Sequence, residues 1–127
     1  MTIELDELAR RLGDGTLIIL DVRSAGEYAG TRGNHCDPRQ GHIPGARNVD
    51  VSELAGRETL EQVQELVGVP PGAEIAAYCH SGSRSALAVQ VLRAAGYEAR
   101  NFTGSWHEWS RRDDLPVETR PKQPLGV

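Results

Sequence analysis

The chain of 127 residues contains only two cysteines and no long hydrophobic run. Cys36 and Cys79 are far apart in the sequence and form no C-x-x-C pair, which excludes a disulfide framework and a zinc knuckle. Reduced thiols are typical of the cytoplasm, and we expect the protein there. The apolar run at residues 17–20 is too short to cross a bilayer, and no signal-peptide pattern begins the chain. We therefore expect no membrane partner.

Basic residues are too scattered to bind a phosphate backbone. The chain has 14 lysines and arginines against 18 aspartates and glutamates, and its formal net charge is -4 at pH 7. We therefore expect no nucleic-acid partner. The 39% of hydrophobic residues is enough for one compact core in a chain of this length. We predict one domain over residues 1–118 and a flexible C-terminal tail over residues 119–127.

Strand-like and helix-like patterns alternate along the chain. Continuous β-prone runs at residues 17–22 and 74–78 are typical of strands that are covered on both faces of a parallel sheet. This alternation predicts an α/β sandwich. The remaining predicted elements are strands at 47–49 and 99–102, and helices at 3–12 with Thr2 as N-cap, 58–67, 86–95 and 106–111.

The segment that begins at Cys79 follows the second buried run directly. It lies where a strand ends and a helix begins, which is where open α/β sheets bind ligands. The first N–H groups of a helix lack intrahelical partners and, together with the helix dipole, stabilise an anion. A cysteine in this position with Arg or His neighbours has a lowered pKa and is a thiolate at neutral pH. The candidate site consists of Cys79 as nucleophile and a surrounding loop of His80, Ser81, Gly82, Ser83, Arg84 and Ser85.

The residue types of this loop suit an anionic sulfur. Gly82 lets the loop turn without steric penalty, and the three serines offer hydroxyl donors to the sulfur or to the helix end. His80 and Arg84 can neutralise an anionic sulfur donor. Taken alone, however, the pattern C-x-x-G-x-R-S also fits a buried structural cysteine followed by ordinary helix caps. Support for a catalytic role has to come from other parts of the chain.

Three segments together resemble the successive signatures of the rhodanese family. They are Asp21-Val22-Arg23-Ser24 with Glu27-Tyr28, then Gly41-His42-Ile43-Pro44-Gly45-Ala46, then the Cys79 loop. The ending Gly104-Ser105-Trp106-His107-Glu108-Trp109 with Leu115-Pro116-Val117-Glu118 is similar to the close of thiosulfate and mercaptopyruvate sulfurtransferase domains. The resemblance covers residues 3–118.

This resemblance implies both a fold and a reaction. The implied fold is a three-layer α/β/α sandwich around a mainly parallel, five-stranded sheet. The implied activity is that of a sulfurtransferase with no cofactor and no metal, in which Cys79 attacks the outer sulfur of a donor and becomes a persulfide. A small thiol, cyanide or a protein thiol then accepts the sulfur. Thiosulfate and mercaptopyruvate are the alternative donors, and the positive charge expected of His80 and Arg84 favours thiosulfate, a doubly charged anion.

Four residues outside the loop are interpreted as structural support. Arg23 and Glu27 resemble the family's ion pair beneath the active loop, and at four residues apart they could meet across one helical turn. Asp21 either orients groups near the loop or is a solvated carboxylate at a strand end. His42 lies in a turn formed by glycine and proline, where we expect its ring to hydrogen-bond to the backbone.

Residues 30–44 are rich in turn-forming types, which predicts a long surface loop at the rim of the site. The loop contains His35, Cys36 and His42, but these residues lack a fourth ligand and match no zinc pattern. We therefore predict no metal site there. Cys36 has a different hypothetical role, which is to resolve the Cys79 persulfide into a disulfide.

Two other functions compete with sulfur transfer to a small molecule. Rhodanese-like domains also serve as non-catalytic regulatory modules or as relays that pass a persulfide to another protein. A related phosphatase chemistry needs the pattern C-x5-R, with a longer loop around a phosphate. Here Arg84 follows Cys79 after only four residues, and Ser85 occupies the position of the phosphatase arginine. The loop length therefore favours a single sulfur atom over a phosphate.

Overall fold

Four strands and six helices are present in the computed structural model, which describes residues 1–119. The tail predicted for residues 119–127 lies outside the described residues except for Thr119. None of the helices in the described part of the chain is long and apolar enough to cross a membrane. The strands are β1 (Leu17–Asp21), β2 (Arg47–Asn48), β3 (Glu74–Tyr78) and β4 (Glu98–Asn101). The helices are α1 (Leu5–Arg10), α2 (Ala25–Ala29), α3 (Val51–Ala55), α4 (Leu60–Val67), α5 (Ser83–Ala94) and α6 (Ser105–Trp109).

The sheet is entirely parallel, in the order β2-β1-β3-β4. The family resemblance implies five strands, whereas the sheet in residues 1–119 has four. In place of a fifth strand, Thr2 forms a single parallel bridge with Asn101 at the edge of β4. The bridge has two backbone hydrogen bonds, from Ile3 N to Asn101 O (3.1 Å) and from Asn101 N to Met1 O (2.9 Å). Thr2 is thus not the helix cap that we predicted, because its backbone pairs with the sheet and α1 begins only after Glu4.

Helices cover both faces of the sheet, which confirms the three-layer α/β/α sandwich. The alternation of side chains along β3 divides the two cores: Ile75 and Ala77 belong to one, and Ala76 and Tyr78 to the other. The first core contains buried side chains of α3, α4 and α5, and the second contains those of α1, α2 and α6. Because each core contains apolar residues of β1 and β3, these central strands read as continuous hydrophobic runs in the sequence.

Two short helices are not predicted from the sequence, although each has a capping side chain. In α2, the Ser24 hydroxyl accepts from the Glu27 amide and the Glu27 carboxylate accepts from the Ser24 amide. In α3, the Asp50 side chain accepts from the amide of Ser52. Each helix has only 5 residues, little more than one turn, so neither shows a hydrophobic period.

Helix α5 begins at Ser83, three residues before the start that we predicted. The polar residues Ser83, Arg84 and Ser85 therefore form its first turn and are not part of the preceding loop. Sequence patterns miss this boundary because serine and arginine disrupt the Ala- and Leu-rich composition of the helix. The earlier start places the first amides of α5 next to Cys79.

A buried polar network joins the ends of the two central strands. Asp21 pairs with Tyr78 in the register of β1 and β3, and the Tyr78 hydroxyl donates to Asp21 Oδ2 at 2.9 Å. Arg23 donates to both oxygens of Asp21, with a distance of 2.7 Å from Nη2 to Oδ2. Its Nη2 also donates to Gly41 O at 2.6 Å. The network therefore ties the turn at residues 41–46 to the sheet.

The partner of Arg23 differs from the one that we predicted. Arg23 and Asp21 are both fully buried and form the ion pair, whereas Glu27 bonds to Arg84. The predicted pair between Arg23 and Glu27 is wrong, because Arg23 precedes the Ser24 cap of α2 and its side chain turns back toward the strand end. Burial alone would lower the pKa of Arg23, but its bonds to Asp21 raise the pKa above the ordinary value and keep the guanidinium charged.

Replacement of Asp21 by alanine should destabilise the fold strongly, because it leaves a buried guanidinium without its carboxylate. We expect the free energy of unfolding to fall by about 3–5 kcal/mol in urea denaturation followed by circular dichroism. Asp114→Ala is the matched control, because it removes the carboxylate of the exposed Arg112–Asp114 pair and should have a much smaller effect. Equal losses in the two variants would contradict this assignment.

Candidate active site

Two backbone amides point at the sulfur of Cys79. Gly82 N lies 3.1 Å from Sγ and Ser85 N lies 3.4 Å from it. Both amides belong to the start of α5, where the N–H groups have no intrahelical acceptors and the helix dipole adds positive potential. Cys79 itself is buried and directly follows β3. The structure therefore has the strand, loop and helix arrangement that stabilises an anionic sulfur.

Gly82 is required by the shape of this loop. Its φ of +98° lies in the left-handed region, and a Cβ atom at this position would be 2.8 Å from the carbonyl oxygen of Thr103. Side chains other than hydrogen are thus disfavoured by both conformation and space. The close approach to Thr103 and the direction of the Gly82 amide depend on the same backbone geometry.

Asn101 determines where the proton of the Ser85 hydroxyl points. Asn101 Nδ2 donates to Gly82 O at 3.1 Å, so its Oδ1 faces Ser85 Oγ, at 2.7 Å. A hydroxyl has one proton, and this short bond to Asn101 uses it. The 3.3 Å contact between Ser85 Oγ and Cys79 Sγ is then the weaker of the two. The backbone amides are therefore the principal donors to the sulfur.

The surroundings of Cys79 have opposing effects on its pKa. Burial by itself would raise the pKa of the thiol. Hydrogen bonds from the Ser85 hydroxyl and amide, and from the amides of Gly82 and Ser81, outweigh burial and lower the pKa below its ordinary value. At neutral pH a larger fraction of Cys79 is thus thiolate than in an ordinary cysteine. Because the Ser85 proton points at Asn101, we attribute the lowering mainly to the amides.

The start of α6 holds the backbone of the loop in place. Cys79 N donates to Ser105 Oγ at 3.1 Å, and Trp106 N donates to Cys79 O at 2.9 Å. Ser105 has a φ of 54°, the one positive φ of a non-glycine residue in the described part of the chain. Such strain costs about 1–3 kcal/mol and is typical of functional sites. Here it places the Ser105 hydroxyl between Phe102 O, to which it donates at 2.8 Å, and the amide of Cys79.

Arg84 is held by Glu27 at the side of the loop. Its Nη1 and Nη2 donate to the two carboxylate oxygens of Glu27 at 2.9 and 3.1 Å. These bonds raise the pKa of Arg84, and the charge of Cys79 adds to that effect. Burial would raise the pKa of Glu27, but its bonds with Arg84 and Ser24 lower it to about 2. The pair therefore stabilises the fold fully above pH 4.5 and loses this contribution as the pH falls toward 2.

The ring of His80 faces a carboxylate of the 30–44 loop. Its Nε2 lies 2.9 Å from Oδ2 of Asp37, a buried residue of the 30–44 loop. Glu27 neutralises much of the positive charge that we expected from Arg84, whereas the Asp37 carboxylate beside His80 also pairs with Arg111. The positive potential at the sulfur comes instead from the amides and the dipole of α5.

The remaining loop residues and support residues differ in what they contact. Ser81 and Ser83 are exposed, and neither hydroxyl is a donor to the sulfur in residues 1–119. His42 is buried, stacks on the Tyr28 ring at 3.7 Å, and has Nδ1 2.7 Å from Tyr28 O, as expected for a residue bound to the backbone. Asp21 is not a solvated carboxylate but a member of the buried network described above.

Three residues that contact the site are absent from the sequence prediction. Asn101 orients Ser85 and Gly82 from the end of β4, and no sequence pattern identifies it. Ser105 lies in the Gly-Ser-Trp segment that was recognised only as a family resemblance. Asp37 lies in the predicted rim loop, and its carboxylate faces His80 of the active loop. All three act through tertiary contacts from segments far from Cys79 in sequence.

Gly82→Ala should raise the pKa of Cys79 toward its ordinary value of about 8.5. The added Cβ forces the loop away from Thr103, and the hydrogen bond from the amide of residue 82 to the sulfur is lost. The measurement is the rate of alkylation by iodoacetamide as a function of pH, in a Cys36→Ser background so that only Cys79 reacts. Gly72→Ala is the matched control: it has a φ of +92° but no atom near its Cβ position. An unchanged pH profile in Gly82→Ala would show that the amides do not set the pKa.

Comparison with known proteins identifies one family over most of the chain. A family model described as a rhodanese-like domain matches residues 4–112. The thiosulfate sulfurtransferase of Pseudomonas aeruginosa is 34% identical over 119 residues, which are 87% of this chain and 43% of that protein. The thiosulfate:glutathione sulfurtransferase of Homo sapiens is 34% identical over 119 residues, 88% of this chain and 95% of that protein. The crystal structure of a probable thiosulfate sulfurtransferase has a TM-score of 0.79 at 43% identity, covering 92% of this chain and 47% of that one.

The extent of these matches differs between the relatives. The chain spans less than half the length of the first curated relatives that it matches, whereas the human relative is matched over nearly its whole length. The range matched by the family model contains Cys79 and every residue described above as a donor to its sulfur. The chain belongs to the family of rhodanese-like domains.

Proposed function

We propose that this chain is a sulfurtransferase that carries one sulfur atom on Cys79, from thiosulfate to a thiol acceptor. The observation that carries the proposal is the pair of amides, Gly82 N and Ser85 N, within 3.4 Å of the Cys79 sulfur at the start of α5. Hydrogen bonds and the helix dipole favour a negative sulfur over a neutral one. The same groups favour a persulfide anion, because its charge also resides on sulfur.

The proposed reaction consists of two displacements at sulfur, and neither step needs an oxidant. The Cys79 thiolate attacks the outer sulfur of thiosulfate and forms a new S–S bond. The bond between the two sulfur atoms of thiosulfate breaks, and sulfite leaves with the electron pair. An acceptor thiolate then attacks the outer sulfur of the Cys79 persulfide, and the Cys79 thiolate leaves. Charge and atoms balance in both steps, and Cys79 returns to its starting state.

The choice of thiosulfate rests on the relatives and on the site. Relatives from Pseudomonas aeruginosa and Azotobacter vinelandii bear the name thiosulfate sulfurtransferase. Thiosulfate is a dianion, and the amides of α5 supply positive potential where it would bind. The two N–H groups of Arg84 that bond to Glu27 can also donate charge-assisted hydrogen bonds to bound thiosulfate. Mercaptopyruvate, with a single carboxylate, would gain less from this potential.

A small thiol is the acceptor that the surface supports best. The human relative is a thiosulfate:glutathione sulfurtransferase, and it is matched along almost its whole length. A cleft of about 680 Å³, a volume that suits a small-molecule ligand, has no residue of the 79–85 loop in its lining but reaches that loop through Glu27. Glu27, the partner of Arg84, is one of the residues that line it, together with Ser24, Gly30, Thr31, Arg32, Gly33, His35 and Gln40. Cyanide and a protein thiol are the alternative acceptors.

The two competing functions fit the site less well than sulfur transfer does. A non-catalytic module does not need a thiol with a lowered pKa. A phosphatase of the C-x5-R type needs arginine where this chain has Ser85, and Ser85 is buried between Cys79 and Asn101.

Both cysteines are free, which supports a reducing compartment, and we propose the cytoplasm as the location to be tested by cell fractionation.

Incubation with thiosulfate should add the mass of one sulfur atom to the chain, because Cys79 retains the outer sulfur as a persulfide. Intact-protein mass spectrometry under non-reducing conditions measures this gain. We expect no gain in Cys79→Ala and an unchanged gain in Cys36→Ala, the matched control with the second free thiol removed. A gain that survives in Cys79→Ala would disprove the proposed function.

The same samples test the acceptor. Added glutathione should return the persulfide form to its starting mass and yield glutathione persulfide, whereas the relay alternative predicts that the mass persists until a protein thiol is supplied. Cyanide, added separately, should yield thiocyanate if the acceptor site is not selective.

Arg84→Ala should raise the KM for thiosulfate by about tenfold, because the charge-assisted hydrogen bonds that the arginine shares between Glu27 and thiosulfate are lost. The KM for mercaptopyruvate should rise less. Glu27→Gln is the informative companion, because it keeps the arginine but removes its competing carboxylate; here the KM for thiosulfate should stay constant or fall. Steady-state rates with both donors provide the measurement, and equal losses for both donors in Arg84→Ala would contradict a role in donor binding.

A further inference from the structure

Three potential metal ligands meet beside the active loop, although they come from distant parts of the sequence. Asp37 lies in the 30–44 loop, His80 directly follows Cys79, and His107 lies in α6. One ligand atom of each residue lies within 4.8 Å of those of the other two. This cluster differs from the set of His35, Cys36 and His42 in the 30–44 loop, and those three residues form no such cluster in the described part of the chain.

Asp37 and His80 each direct a polar atom into this cluster without a hydrogen-bond partner. The Asp37 side chain is only 1% exposed, and its Oδ2 is buried. His80 Nε2 is also buried and lies 2.9 Å from that oxygen. Despite the short distance, the ring geometry is not that of a hydrogen bond, and neither atom has another partner among the described residues. Buried polar atoms of this kind are costly and need a ligand or another explanation.

A shared metal ion accounts for this geometry better than an ion pair between the two residues. In an ion pair the ring N–H would point at the carboxylate oxygen, as charge-assisted hydrogen bonds do. Ligands of one ion instead direct their lone pairs at the ion and lie beside each other. At about 2.0–2.2 Å from a zinc ion, tetrahedral ligand atoms are roughly 3.3–3.6 Å apart. His80 Nε2 and Asp37 Oδ2 lie 2.9 Å apart, so the two side chains would move apart by about half an ångström when they bind an ion.

Further contacts orient the ligands as a metal site requires. Arg111 Nη1 donates to Asp37 Oδ1 at 2.8 Å, which fixes the carboxylate and leaves Oδ2 for another partner. His107 N donates to His80 O at 2.9 Å, and the two rings meet edge to face with centroids 5.7 Å apart. His107 is exposed, so an ion can enter from solvent.

We propose that Asp37, His80 and His107 bind a borderline divalent transition-metal ion such as Zn²⁺. Two imidazoles and one carboxylate form a ligand set that suits such ions and leaves a coordination position for water. The site does not use the Cys79 sulfur, and it goes beyond the proposed sulfur transfer. It can therefore exist whether or not the chain transfers sulfur.

The first test is isothermal titration calorimetry of the full chain with Zn²⁺. We expect one ion to bind per chain, and we expect His107→Gln to weaken binding by at least about tenfold. His35→Gln is the matched control, because it removes an exposed histidine of the same 30–44 loop that is outside the cluster. Asp37→Asn keeps the shape of the side chain and an acceptor for Arg111, and it should weaken binding similarly. Unchanged affinity in His107→Gln, or an equal loss in His35→Gln, would overturn the proposal.

The second test identifies the ligand atoms, since Cys36 and Cys79 could also attract zinc. Co²⁺ replaces Zn²⁺ and reports its ligands by absorption. Nitrogen and oxygen ligands should produce only weak visible bands, and these bands should disappear in His107→Gln. Intense near-ultraviolet absorption from cobalt–thiolate bonds, retained in His107→Gln, would show that the ion binds at a cysteine and would contradict the proposed site.

Discussion

The hydrogen bonds from the Gly82 and Ser85 amides to the Cys79 sulfur are the interaction on which the rest of the site depends. They exist only if β3 ends directly before Cys79 and α5 begins directly after Gly82. The left-handed conformation of Gly82 makes that short connection sterically accessible. Asn101 and Ser105, both outside the loop, then hold its two sides in place. The chemistry of one thiol thus depends on the packing of two strands and two helices.

Charge pairing around the loop gives backbone dipoles a larger role than side-chain charge. Arg84 faces Glu27, and His80 faces Asp37, so each potential cation has a carboxylate beside it. Backbone amides cannot titrate, and they are fixed in direction by the helix. A site built this way stabilises negative sulfur over a wide pH range. The charged side chains can then serve in recognition of the donor, or as ligands in the case of His80, without being needed for ionisation of the thiol.

The buried network of Asp21, Arg23 and Tyr78 satisfies the polar groups at the ends of the central strands. Parallel strands end with polar groups at one edge of the sheet, and loops must cover that edge. Asp21, Arg23 and Tyr78 satisfy one another there, and Arg23 also binds the carbonyl of Gly41. The turn at residues 41–46 therefore lies against the sheet through polar contacts as well as through the apolar Ile43 and Ala46. This explains why an Asp-x-Arg pattern and a Gly-His-Ile-Pro-Gly-Ala pattern occur together in one chain.

Elements with a local signal can be predicted from the order of residues alone. The runs at residues 17–22 and 74–78, the helix closed by Gly68, and the position of Cys79 at a strand end are all readable, because strand length, helix period and glycine caps are properties of neighbouring residues. Resemblance to a family added the layer order of the fold. The side-chain partners, by contrast, follow from the packing of the folded chain: Arg23 with Asp21, Glu27 with Arg84, Asn101 with Ser85, and Asp37 beside His80. A side chain of that kind can reach several partners of suitable charge or polarity, and the choice among them depends on how the elements pack, which no short stretch of sequence encodes.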